Sequence, residues 1–112
     1  MTHDFVYSAH VDSVYDGDTI TCSIDLGFGV VMRKQKIRLY GINTPEVRGV
    51  QRPEGLKSRD ALRERILDKD ITLKTIRDKK GKYGRYLGII FINDENINDW
   101  LVASGLAKTV SY

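Results

Sequence analysis

Four short stretches hold side chains whose types and spacing could do chemistry. Asp16-Gly17-Asp18-Thr19 sets two carboxylates around a glycine, between two strand-like runs. Carboxylates in such a turn can direct oxygens at one hard cation, although Asp-Gly-Asp also makes ordinary turns. Arg38 stands between Ile37 and Leu39, so in a strand it faces away from both. Its guanidinium either forks onto a carboxylate or awaits an anion. Asn43-Thr44-Pro45-Glu46 closes the same run. Pro45 keeps Thr44 extended and stops a helix from continuing, which leaves the Thr44 carbonyl free to point elsewhere. Glu46 follows in a stretch too polar and irregular to bury it; alone, this reads as a strand-ending loop with a surface acid. Lys82-Tyr83-Gly84-Arg85 closes a stretch in which Arg77, Lys79, Lys80, Lys82 and Arg85 stand against one acid, Asp78. Gly81 and Gly84 bracket Lys82 and Tyr83 and would let this loop approach a ligand closely. A solvated loop is the plainer reading. His3 and His10 sit outside all four stretches.

Positioning these groups falls to a simple order of elements. A first strand covers Phe5 to Val14. Ile20, Cys22, Ile24 and Leu26 then alternate with Thr19, Thr21, Ser23 and Asp25, the pattern of a half-buried strand. Gly27-Phe28-Gly29 supplies a turn, and Val30 to Tyr40 completes a three-stranded meander. Arg52 to Leu67 is rich in helix formers, with Leu62 and Ile66 one turn apart, Ser58 a turn earlier on the same face, and Pro53 suited to the first turn. Ile71 to Ile76 and Tyr86 to Ile92 read as two more strands joined by the basic loop. A last helix runs from Ile97 to Ser104, with Gly105 as its terminator. Five strands with a helix between the third and fourth predict a mainly β fold with α: a five-stranded OB-type barrel with packed helices.

Bulk properties set the frame. A chain of 112 residues suits one domain, 1–112, with a core that needs no disulfide. Cys22 is the only cysteine and lies in an alternating apolar run, so a buried thiol is expected. The net charge of +3 and pI near 9.0 are compatible with a polyanionic partner without requiring one. No apolar stretch of about 18 residues is present, so no membrane span or membrane partner is expected. Met1-Thr2-His3-Asp4 lacks the basic and apolar regions of a signal peptide. A cytoplasmic monomer is the default expectation.

Taken in order, Asp-Gly-Asp-Thr, Ile-Arg-Leu, Asn-Thr-Pro-Glu and Lys-Tyr-Gly-Arg resemble the pattern of the staphylococcal nuclease (thermonuclease-like) family. Gly105-Leu106-Ala107-Lys108 after the last helix resembles it too, so the likeness runs from about Val11 to Lys108. The resemblance implies an OB-type barrel that binds one Ca²⁺ and hydrolyses single- or double-stranded DNA and RNA with little sequence preference. It implies products carrying a 3′-phosphate and a 5′-hydroxyl. By position, Asp18 resembles the main metal carboxylate and Asp16 an acid serving the outer shell. Asn43 falls at the second ligand position, and Thr44 at the backbone-carbonyl ligand. Glu46 resembles the general base, and Arg38 and Arg85 the two phosphate-binding arginines. Lys82 and Tyr83 match positions beside the nucleotide, and Lys79 and Lys80 extend that basic surface.

The chemistry is coherent on its own terms. Phosphodiester hydrolysis needs a water in line with the leaving oxygen and positive charge on the phosphoryl oxygens. Ca²⁺, a carboxylate base and two guanidiniums supply these without a serine, cysteine or histidine nucleophile. Two departures stand out. Asn43 occupies a position where the family usually has aspartate, and an amide carries no net charge. The chain stops at Tyr112, so a further terminal helix is not expected, and Ser111 and Tyr112 match the family's tyrosine-rich tail poorly. The alternative function is a non-catalytic nucleic-acid or protein-binding module of the same fold. Retention of Asp18, Arg38, Glu46 and Arg85 together favours the enzyme, because a pure binder of polyanions has no need of both acids.

Overall fold

The computed structural model describes residues 5–111; His3 and Tyr112 lie outside them. Strands β1 (Val6–Asp16), β2 (Thr19–Gly27) and β3 (Val30–Leu39) form the expected antiparallel meander. After a two-residue strand β4 (Ile42–Asn43) and a 3₁₀ turn, helix α1 (Arg52–Ile66) carries Pro53 in its first turn. β5 (Asp70–Lys80) and β6 (Tyr86–Ile92) follow, then the short β7 (Glu95–Asn96), α2 (Ile97–Ala103) and β8 (Lys108–Thr109).

β1 pairs with β2 on one side and β5 on the other, and β5 pairs with β6. β6 then meets β3 in parallel, through Ile37↔Tyr86, Arg38↔Leu87 and Leu39↔Gly88. That pairing closes a five-stranded barrel of OB type, as expected. Alternation along the strands fills its interior: Val11, Ile20, Cys22, Ile37, Leu39, Leu73 and Ile90 are wholly buried. Leu62 and Ile66 from α1 and Ile97 and Leu101 from α2 join the same core. The Cys22 thiol is buried as expected, and burial, with Asp12 nearby, pushes its pKa up to about 12. Asn96 caps α2 by accepting the Asp99 N–H at 3.0 Å, and Gly105 leaves the helix at φ +74°.

The basic stretch departs from the sequence reading. β5 does not end at Ile76 but runs to Lys80, which pairs with Tyr86 across a register shift. Arg77 and Asp78 take up the extra length at φ 53° each. Asp78 holds this bulge by accepting the Tyr7 hydroxyl at 2.8 Å, while its own N–H donates to the Thr75 hydroxyl at 2.9 Å. Only residues 81–85 remain as a loop, so Lys79 and Lys80 project from a bulged strand.

Closure of the barrel depends on Gly88, which lies between β3 and β5. A Cβ there would sit 2.7 Å from Leu73 Cδ1 and 3.0 Å from Ile37 Cγ2, both inside the core. Gly88→Ala should destabilise the protein by about 1–3 kcal/mol, the usual cost of overpacking. A urea titration reads this as a lower midpoint; an unchanged midpoint would contradict the tight closure.

Candidate active site

The site begins where β1 turns into β2. Asp16 ends β1 and pairs with Thr19 at the start of β2, so Gly17 and Asp18 form the turn between them. Asp16 accepts the Asp18 N–H at 3.0 Å. The Asp18 carboxylate accepts the Thr19 hydroxyl at 3.3 Å, the Thr44 N–H at 2.9 Å and the Arg38 guanidinium at 3.3 Å. Its main-chain carbonyl accepts the Leu39 N–H at 2.8 Å. One residue thereby ties the turn to the end of β3 and to the Asn43–Glu46 segment. Gly17 permits the close approach: a Cβ would meet Thr44 Cγ2 at 2.7 Å and Ser58 Cβ at 2.9 Å.

Both acids are buried, Asp16 to 8% and Asp18 to 5% exposure. Burial, followed by the hydrogen bond to and charge of Asp18, pushes the Asp16 pKa up to about 6, against the opposing pull of the Asp18 N–H and the Thr19 hydroxyl. The neighbouring Thr44 Oγ1 is buried without a hydrogen-bond partner among the described residues.

Arg38 takes the first of the two roles its position allowed, a contact to a carboxylate. One amino group donates to the Leu39 carbonyl at 2.9 Å; the other reaches Asn43 Oδ1 and Asp18 Oδ2, each at 3.3 Å. Arg85 comes from the opposite side, donating to the Thr19 hydroxyl at 3.3 Å and to the Lys82 carbonyl at 3.2 Å. Its guanidinium lies 5.2 Å from the Tyr83 ring centre. Tyr83 itself takes the left-handed φ of 63° just before Gly84, which turns the loop back toward β6.

Glu46 is exposed, as its surroundings predicted. The start of α1 fixes its backbone. Gln51 Oε1 accepts the Glu46 N–H at 2.9 Å, and Arg52 donates to the Val47 carbonyl at 3.0 Å. A Cβ on Gly55 would lie 2.1 Å from the Glu46 carbonyl oxygen, so any larger residue there would displace this segment.

Asp16, Asp18, Arg38, Asn43, Glu46, Tyr83 and Arg85 line one open cleft of about 780 Å³. Thr44 is buried and lines a smaller hollow beside it. Lys79, Lys80 and Lys82 are exposed and do not line the cleft; Lys80 lies over the Tyr86 ring at 5.1 Å. Sequence reasoning overlooked the lining residues Ser13, Val14, Tyr15, Thr21 and Lys36. Strand parity could have found Lys36, which shares a face with Arg38 two residues on. Tyr15 sits where the β1–β2 register slips, which simple alternation cannot foresee.

No three Asp, Glu, His or Cys side chains converge as a metal site among the described residues. The oxygens gathered here are of another make-up: two carboxylates and the Asn43 amide, with Thr44 next in the chain. All are hard donors, the class that Ca²⁺ takes. The raised proton affinity of Asp16 marks a point where added positive charge relieves repulsion. The donor set therefore fits a hard divalent cation.

A stability test follows for the chelated protein. Folded Asp16 keeps its proton up to about pH 6, whereas unfolded it loses the proton near the ordinary aspartate value of 3.8. The folded state binds more protons between these values, so stability falls as pH rises through that window. Asp16→Asn should raise the melting temperature at pH 8, with the gain shrinking toward pH 4. A gain that is independent of pH would contradict the buried-acid reading.

Comparison with known proteins gives the chain's family. Residues 36–112 match the family model described as staphylococcal nuclease homologue, a segment that takes in Arg38, Asn43, Glu46 and Arg85. The chain is 30% identical over 105 residues to a thermonuclease of Staphylococcus intermedius, covering 91% of this chain and 59% of that protein. It is 28% identical over 102 residues to a thermonuclease of Staphylococcus hyicus, covering 88% and 57%. An uncharacterized endonuclease of Haemophilus influenzae is 30% identical over 100 residues, covering 89% of this chain and 51% of that protein. The chain thus spans somewhat over half the length of these relatives. With a family model matched over more than half its residues, the chain belongs to the staphylococcal nuclease family.

Proposed function

We propose that the protein is a Ca²⁺-dependent nuclease that hydrolyses phosphodiester bonds of DNA and RNA with little sequence preference. The observation that carries this reading is the meeting of Asp18, Arg38, Glu46 and Arg85, from four separate segments, in one cleft. A binding module for polyanions gains nothing from two buried acids and an exposed carboxylate at its centre.

In this reading Arg38 and Arg85 hold the scissile phosphate between two guanidinium forks. Their fixed donors gain strength as charge grows on the phosphoryl oxygens. Glu46, held by Gln51 and the Gly55 contact, takes the proton of a water that attacks phosphorus. The new P–O bond forms as the bond to the leaving oxygen breaks, and that oxygen takes up a proton from solvent. A Ca²⁺ ion bound by Asp18, Asn43 and the Thr44 carbonyl, with Asp16 in its outer shell, would supply the charge that draws phosphate and water into an acidic site. Arg38 reaches both Asp18 and Asn43, so its guanidinium lies beside the oxygens that would hold the ion and within reach of a phosphate drawn there. Lys79, Lys80 and Lys82 add sequence-independent phosphate attraction outside the cleft, and Tyr83 sits beside the nucleotide.

Cleavage of single-stranded DNA should appear with added Ca²⁺ and vanish in excess chelator. Glu46→Gln should lower kcat by about a hundredfold or more, on the scale of losing one preorganised catalytic group, with the fold intact by circular dichroism. Full activity in chelator would sink the metal assignment; near-parent activity of Glu46→Gln would sink the base.

A further inference from the structure

We propose that the outer face of β1, β2 and β3 carries a second nucleotide subsite, in which Lys36 takes the phosphate next to the scissile one and Tyr15 stacks on an unpaired base. This rests on the nuclease reading and extends it to the substrate: single-stranded nucleic acid reaching at least one nucleotide past the cleaved bond.

The placement comes from strand register. Asp16, Thr19 and Arg38 form one row across the three strands, and Ser13, Thr21 and Lys36 form the next. Thr21 and Lys36 lie two residues from Thr19 and Arg38, so they share the outer face, about 7 Å further along the strands. That step matches the spacing of neighbouring phosphates in an extended single strand. The second row offers two hydroxyls and an ammonium and contains no acid. Lys36 enters no ion pair among the described residues, so its charge is available.

Tyr15 lines the same cleft as Lys36 and is 53% exposed, although Val14 and Asp16 on either side are buried. An exposed aromatic ring beside cations in one cleft suits a base next to its phosphate. A base locked in a duplex cannot present its face to such a ring, so the ring selects unpaired substrate.

The track also has an end. In the following row Asp12 accepts the Ser23 hydroxyl at 2.8 Å and lies 3.8 Å from Lys34, and Asp25 comes next on the same face. The Lys34–Asp12 pair offers a further phosphate no free cation, and the exposed Asp25 beyond it repels one, which limits the extension to one nucleotide.

The probes are a pentamer of thymidylate and a pentamer of the same backbone with abasic sugars, both with non-cleavable phosphorothiolate-type linkages, bound with Ca²⁺ in the Glu46→Gln background so that cutting is negligible during the titration. Tyr15→Ala should weaken binding of the thymidylate pentamer by about tenfold and leave the abasic pentamer unchanged, whereas Tyr15→Phe should bind both as the parent does. Lys36→Ala should weaken both pentamers and flatten the salt dependence of log K by about 0.7, the loss of one phosphate contact. If the Tyr15→Ala and Lys36→Ala proteins, with unchanged melting temperatures, bind both pentamers like the parent, the subsite is overturned while the nuclease reading stands. If the parent binds neither pentamer, or Glu46→Gln cleaves single-stranded DNA at the parent rate, the nuclease reading fails and the subsite with it.

Discussion

Everything at the site hangs on the carboxylate of Asp18. It is a buried anion, which costs several kcal/mol unless donors and counter-charge compensate it. Here a main-chain N–H, a hydroxyl and a guanidinium do so, and each comes from a different place: Thr44, Thr19 and Arg38. The compensation is therefore also an assembly rule. Wherever Asp18 is satisfied, the β1–β2 turn, the end of β3 and the segment leading to Glu46 stand together. Barrel closure enforces the same arrangement, because β3 meets β6 at Arg38 and its neighbours.

Asp16 complicates that balance. It sits beside Asp18 with few donors of its own, and its proton affinity rises accordingly. A fold selected for stability alone would remove one of these acids. Their retention in a site that also carries two arginines is the kind of local cost that functional sites bear. On the far side of the cleft the first turn of α1 acts as a jig. Gln51, Arg52 and Gly55 all engage the backbone around Glu46, and none touches its carboxylate. The side chain stays exposed while its point of attachment is fixed, an arrangement that suits a group meant to meet water and substrate.

Much of this was legible in the sequence. The alternation of Ile20, Cys22 and Ile24 gave a strand with a defined inner face, and the parity of Arg38 between Ile37 and Leu39 put its guanidinium outside. Short motifs survive in sequence because turns such as Gly17-Asp18 and the extended Thr44 are dictated by adjacent residues. What escaped notice was set by contacts across the chain. The Gln51 amide serves Glu46 rather than capping its own helix, and nothing in the local pattern signals this. Tyr7 and Asp78, far apart in sequence, stabilise a bulge that turned an apparent loop into strand. Tyr15 and Lys36 belong to the cleft only because of how β1, β2 and β3 are registered, and bulges shift that register in ways alternation does not encode.

The claim that joins these features is that the Asp16–Asp18 turn is built to hold one divalent cation. Calorimetric titration with Ca²⁺, on the parent and on Asp18→Asn, addresses it without recourse to activity. The parent should bind one Ca²⁺ per chain and gain melting temperature as the ion is added, and Asp18→Asn should lose both effects while remaining folded. A parent protein that takes up no Ca²⁺ at millimolar concentration, or an Asp18→Asn protein that binds it equally well, would contradict the assignment.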